Sequence, residues 1–368
     1  MEHYFTENIK RILIDIFEQN SDQIFENSLL IQYINLKTRS ADRGSKSRSS
    51  FGNLYAIYVL IEDYLNNNFH IKGKYKAYEG AHFSDLFKRQ RELPFGSKLQ
   101  NHHLNHRLNQ EFRKYFPTAE LPPIMRSNQK YWFNENLLKI KIGKRVFNIA
   151  ETIIKIIDEY VVVKQSAFQG FIKTCEKLKG IQKANKNEAI NFVMELLAPS
   201  VDARIFEIVS YSILKYFYHD QTVYFGFDLD DIKEENLTLY KTGRTNANDG
   251  GIDFVMKPLG RFFQVTETTD VRKYFLDIDK IERYPITFVI KSDESIDKLI
   301  EKIKDKAEEQ YPVTQIVNKY LACIEEIINI PILTERFKVT VSNKYLASIL
   351  DEIITQSKVE FHYQEDFD

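Results

Sequence analysis

Cysteine is scarce in this chain: its 368 residues include only Cys175 and Cys323, with no CxxC spacing. That excludes a disulfide framework and a thiolate zinc site, and the simple inference is a reducing compartment. Charge of one sign is lacking too, since the formal net charge is -1 and no global field would gather a polyanion. No apolar run reaches membrane-spanning length. The opening MEHYFTENIKRILIDIF is amphipathic and carries acids, unlike a secretion signal, so a cytoplasmic protein is expected. Other signatures are missing as well. GSKSRSS does not have P-loop spacing, there is no GxGxxG or GxSxG, and His102 and His106 enclose His103, Leu104 and Asn105 instead of the acid of HExxH.

What is plentiful is apolar and aromatic side chain, 43% and 13% of residues, enough to bury a sizeable core in two expected domains. The balanced charge is unevenly spread. From Lys37 to Lys114 there are 15 Lys or Arg against 7 Asp or Glu, a surplus of +8 that leaves -9 elsewhere. The first part of the chain is therefore the basic part.

Residues 1–36 read as amphipathic helices, followed by a loop at LKTRSADRGSKSRSS and a core helix at FGNLYAIYVLIEDYLNNNF, with Leu54, Ile57, Tyr58 and Ile61 on one stripe. The stretch GAHFSDLFKRQRELPFGSKLQNHHLNHRLNQEFRKYF mixes apolar anchors with side chains that bond phosphates and base edges. Arg43, Lys46 and Arg48 in the loop, and Arg89, Arg91, Lys98, Asn101 and Arg107 further on, are candidate nucleic-acid contacts. Residues 1–135 are expected to form this mainly helical, basic region. Residues 136–368 form the second, starting with a β-like run at LLKIKIGKRVFNI and a helical lead-in over 150–198.

From 200 to 305 the order is legible. SVDARIFEIVSYSILKYFYHD is a helix, with Ser200 a candidate N-cap and Asp202 in its first turn. Strands follow at QTVYFGFDL, LTLYKTG, GIDFVMKP and GRFFQVTET, then a helix near 270–283, the strand PITFVIKS and the helix SIDKLIEKIKDKAEEQ. Such an order makes an α/β core, a mixed sheet flanked by helices.

Strand alternation then sorts the side chains. Gln264 and Thr266 share a face with Phe262, while Phe263, Val265 and Glu267 take the other. Asp253 points with Val255, opposite Ile252, Phe254 and Met256, so the hairpin brings Asp253 beside Gln264. A carboxylate and an amide oxygen suit Mg²⁺, which accepts one or two carboxylates and keeps several waters. Glu207, within the preceding helix, is a further candidate carboxylate. The turn YKTGRTNANDGG, with Lys241, Arg244, Asn246 and Asn248, is rich in residues that allow close approach to a phosphate backbone.

On GGID followed by FFQVTE, residues 200–305 resemble the PD-(D/E)xK nuclease core, and the chain is similar to type II restriction endonucleases. The resemblance implies a Mg²⁺-dependent, sequence-specific double-strand DNA endonuclease, a homodimer, and a cognate DNA methyltransferase acting on the same site without a stable complex. It assigns Asp253 to the first acid and Gln264 to the acid-or-Gln position. Thr266 stands where the family carries lysine, and it cannot supply that positive charge. Lys241, Arg244 or Lys257 from neighbouring segments, Glu267 as a base if the strand bulges there, or a second metal would have to compensate. The alternatives are a DNA-binding protein with an inactive core, and a structure-selective DNA repair or RNA nuclease.

Overall fold

Apolar residues at helical spacing build helices from the start of the chain: α1 (Thr6–Phe17), α2 (Ser21–Asn27) and α3 (Leu29–Ser40). The computed structural model describes residues 2–40, 46–97, 99–118, 122–181, 186–242, 252–267 and 270–361. The fold is mixed α/β and divides into two compact units, Met1–Phe171 with Phe361–Asp368, and Ile172–Glu360. No described helix is long and apolar enough to cross a membrane.

The first unit continues with α4 (Lys46–Asn66), α5 (Phe69–Lys72), β1 (Ala81–His82), α6 (Phe83–Glu92), a π-helical turn at His103–Arg107 and α7 (Leu108–Tyr115). The expected loop at 36–50 is shorter than its polar letters suggested. Helix α3 runs to Ser40 and α4 already begins at Lys46, because lysine and arginine are good helix formers and serine tolerates a first turn. Helix α4 carries more than a stripe. Every residue from Phe51 to Ile61 is buried, so this helix is surrounded and forms the centre of the unit.

Around it lie a three-stranded antiparallel sheet, in which β1 and β2 (Ile124–Ser127) flank β3 (Lys130–Phe133), and the hairpin β4 (Lys139–Ile142) with β5 (Arg145–Asn148). Gly143 turns that hairpin at a φ of 58°, a conformation glycine adopts without cost. The long helix α8 (Ala150–Ile181) follows, and its Ile153, Ile156, Ile157 and Tyr160 join the same core.

The second unit contains α9 (Lys186–Glu195), α10 (Ala203–Tyr218), the hairpin β6 (Thr222–Phe225) with β7 (Lys233–Asn236), and then β8 (Thr238–Lys241), β9 (Phe254–Lys257) and β10 (Arg261–Thr266). After α11 (Val271–Lys280) come β11 (Ile286–Ile290), α12 (Ile296–Gln310), α13 (Thr314–Leu321), β12 (Ile324–Ile328), α14 (Ile330–Ser342) and α15 (Leu346–Phe361). Five strands form one mixed sheet in the order β12-β11-β10-β9-β8: an antiparallel meander β8-β9-β10, then β11 and β12 parallel to β10.

Each face of this sheet has its own cover. On one, Phe254 meets Tyr211 of α10 at 5.2 Å between ring centroids and Phe263 meets Tyr218 at 6.2 Å. On the other, Phe288 packs on Tyr274 of α11 at 4.5 Å, in a cluster with Ile286, Ile290 and Leu299. With both faces covered, β11 is apolar except at Thr287 and is buried throughout. The N-cap of α10 is Asp202, whose carboxylate accepts from the Arg204 N–H at 2.8 Å, and not Ser200.

Candidate active site at one end of the sheet

One end of the five-stranded sheet collects the C-termini of β8, β10, β11 and β12 and the N-terminus of β9. Asp253 sits at that end, immediately before β9. Its N–H donates to the Phe263 carbonyl at 3.1 Å, one position out of the register that pairs Phe254 with Phe263, so the ladder becomes irregular at Asp253. Its carboxylate then curls back and Oδ2 accepts from the Val265 N–H at 2.7 Å. The side chain thus takes the place of a ladder carbonyl where the two strands part. Ile252 lies in the apolar cluster of Val255 and Phe262, not with Phe254 and Met256, because regular alternation stops where β9 begins.

The polar residues divide between the faces. Gln264 and Thr266 stand in register with Phe288 and Ile290, on the α11 side, and both are buried. Lys273 of α11 donates to Thr266 Oγ1 at 3.4 Å, a long bond. Gln264 Oε1 is a buried acceptor with no hydrogen-bond donor among the described residues. On the α10 side, Lys241 at the end of β8 is in register with Phe254 and reaches Glu207 of α10, Nζ to Oε1, at 3.2 Å. Both of those side chains are largely buried, at 12% and 13% exposure, so their attraction is less screened than a surface pair's.

A second pair stands on that same side. Lys291, next after β11, reaches Glu267, next after β10, at 2.5 Å, and also donates to the Val201 carbonyl just ahead of α10. Its ammonium lies 5.9 Å from the Phe206 ring centroid, one residue before Glu207. Sequence reasoning weighed Glu267 only as a base and did not find Lys291. The available signal was a lysine closing an otherwise apolar strand, PITFVIK.

The remaining candidates are placed as follows. Lys257 stacks over Tyr240 at 5.0 Å, at the end of β9 away from Asp253. Arg244, Asn246 and Asn248 lie outside the described residues, as do Arg43 and Lys98. Lys46 and Arg48 are in the first turns of α4, so their backbone is helical. Arg89 of α6 grips Glu62 of α4 in a fork at 2.7 and 2.8 Å, Arg91 donates to the Ser97 carbonyl at 2.7 Å, and Arg107 to Glu111 at 3.0 Å. Asn101 is exposed. Among the described residues, no group of three or more His, Cys, Asp or Glu side chains is gathered at metal-holding spacing.

Comparison with protein-family models, with curated proteins and with solved structures found no match to this chain.

Proposed function

We propose that this protein is a Mg²⁺-dependent, sequence-specific endonuclease that hydrolyses phosphodiester bonds of double-stranded DNA, in the manner of type II restriction enzymes with a PD-(D/E)xK core. The observation that carries the reading is the succession of α10, the meander β8-β9-β10, α11 and the parallel β11, with an acid at the head of β9 and charged side chains along the same sheet end. Open α/β sheets hold their ligands outside such strand ends.

The donor set suits the metal in kind. Asp253 and Glu207 offer carboxylates, Gln264 a buried amide oxygen still lacking a described donor, and no thiol or imidazole stands among them. Asp253 would hold the ion with Gln264 on the α11 face or with Glu207 on the α10 face, and the ion supplies an acidified water and a polarised phosphate when bound. The chain's own contribution is positional. Lys241 balances Glu207 and brings positive charge to an edge that must receive a polyanion, and the Val265 N–H fixes Asp253. Thr266 can orient a water through its hydroxyl.

The basic first unit would contact the duplex. Two cuts in a palindromic site call for a two-fold homodimer, in the cytoplasm and alongside a methyltransferase that protects the same sequence. One observation favours a second reading, a DNA-binding protein with an inactive core: the Asp253 and Glu207 carboxylates are each already engaged by a donor of the chain. Incubation with plasmid DNA and Mg²⁺ followed by electrophoresis decides between them. Discrete fragments are expected. A retarded but intact plasmid would establish the inactive core, and a smear a nuclease without sequence preference.

A further inference from the structure

Within the nuclease reading, on which this inference rests, Thr266 leaves the centre without the positive charge that a lysine at its position would bring. Thr266 closes β10 at the sheet end where Asp253 stands, in register with Ile290 on the α11 side. Lys273 lies in the first turn of α11, and its Nζ comes within 3.4 Å of Thr266 Oγ1. The ammonium therefore stands beside the volume that a lysine side chain leaving β10 at 266 would sweep. The N-terminal end of α11 adds partial positive charge at the same place.

The other lysines near this end are committed. Lys241 is paired with Glu207 and Lys291 with Glu267, and the Lys291 side chain is only 3% exposed. Lys257 lies over Tyr240 at the far end of β9. Lys273 is exposed and, among the described residues, pairs with no carboxylate. The plainer role is an exposed lysine folded back on the nearest hydroxyl. At 3.4 Å that bond is long and contributes little to stability, so such a lysine would matter neither to folding nor to rate.

We propose that Lys273 is the catalytic lysine of the centre, contributed by α11 instead of β10, with Thr266 as the positioning residue that holds its ammonium at the strand end. In the hydrolysis a P–O bond forms to water as the P–O bond to the sugar oxygen breaks. The water gives up a proton to solvent and the departing oxygen takes one from it. Lys273 stays protonated and lends its charge to the phosphate oxygens.

The test compares wild type, Lys273→Met, Lys273→Arg and the double variant Lys273→Met with Thr266→Lys, all in the full chain, by plasmid cleavage in Mg²⁺, gel shift in Ca²⁺ and thermal melting. Lys273→Met is expected to cut about 100-fold more slowly, to bind DNA within about 5-fold of wild type and to melt like it, as an exposed substitution should. Restoring a cation, as guanidinium on the helix or ammonium on the strand, is expected to recover about 10-fold of the lost rate in at least one of the two variants. Lys273→Arg keeps that rescue readable if the buried position at 266 does not accept lysine. The proposal is overturned if Lys273→Met cuts within about 3-fold of wild type, if it loses cleavage only in step with melting temperature or DNA binding, or if neither cation-restoring variant outpaces it. A wild type that does not cut would overturn the nuclease reading and this proposal together. A wild type that cuts no faster than Lys273→Met would overturn the role of Lys273 alone.

Discussion

The first unit and the sheet end of the second use the same residue types to opposite ends. Beneath α4, Asn53 donates to Glu111 at 2.7 Å and to the Tyr33 hydroxyl at 3.0 Å, and its Oδ1 meets His103 Nδ1 at 3.0 Å, while Lys37 closes on Glu111 at 2.6 Å. Asn53, Lys37 and His103 are all buried. Burial pushes the His103 imidazole down to about 3, so it stays neutral at ordinary pH. At the sheet end the pairs are strung along successive strands, and the Glu267 carboxylate is partly exposed. A closed polar network positions helices, whereas the charged groups at the sheet end include one carboxylate, Glu267, that is partly exposed.

The largest test of this contrast is Asp253→Ala, expected to cut cleavage by about 100-fold or more while DNA binding in Ca²⁺ persists, as a gel-shift titration would read. Cleavage near the wild-type rate would make the sheet end as structural as the network under α4. Asn53→Ala should do the reverse, costing about 2–4 kcal/mol in urea denaturation because Tyr33, His103 and Glu111 lose their bonds to it at once.

The His103 environment adds a pH dependence. Its folded pKa is depressed from 6.5 to about 3, so its contribution is present above about 6.5 and is lost as pH falls toward about 3. Stability should drop by about 1.4 kcal/mol per pH unit in that window, and His103→Gln should remove this component of the slope. Unfolding curves at several pH values would show it. Gly52→Ala should cost about 1–3 kcal/mol, since a Cβ there would stand 2.4 Å from the His103 ring.

Smallest is Gln264→Ala, expected to slow cleavage by about 5-fold or less through loss of one neutral polar group. A loss as large as that of Asp253→Ala would place the Gln264 amide directly at the centre.

Much of the second unit could be read ahead of its coordinates. The helix at 203–218, the meander, the helix at 271–280 and the strand and helix after it follow from apolar periodicity and turn residues, which act over a few positions. Strand β7 was not expected, since KEEN is exposed throughout and pairs only with β6. The first unit was less legible. A polar run hid the start of α4, and composition could not show that Arg89 and Lys37 of the basic stretch pair with Glu62 and Glu111.

For the candidate site, the sequence alone determined the parity of each strand: Gln264 with Thr266 on one face, Val265 with Glu267 on the other, because side chains alternate in any extended chain. It could not decide which face carries the charge. That depended on α10 covering the Val265 face, which brings Glu207 to Lys241, and on the parallel pairing of β10 with β11, which brings Glu267 to Lys291. Alternation is a local property of the backbone, whereas the choice of covering helix is settled by packing among distant segments.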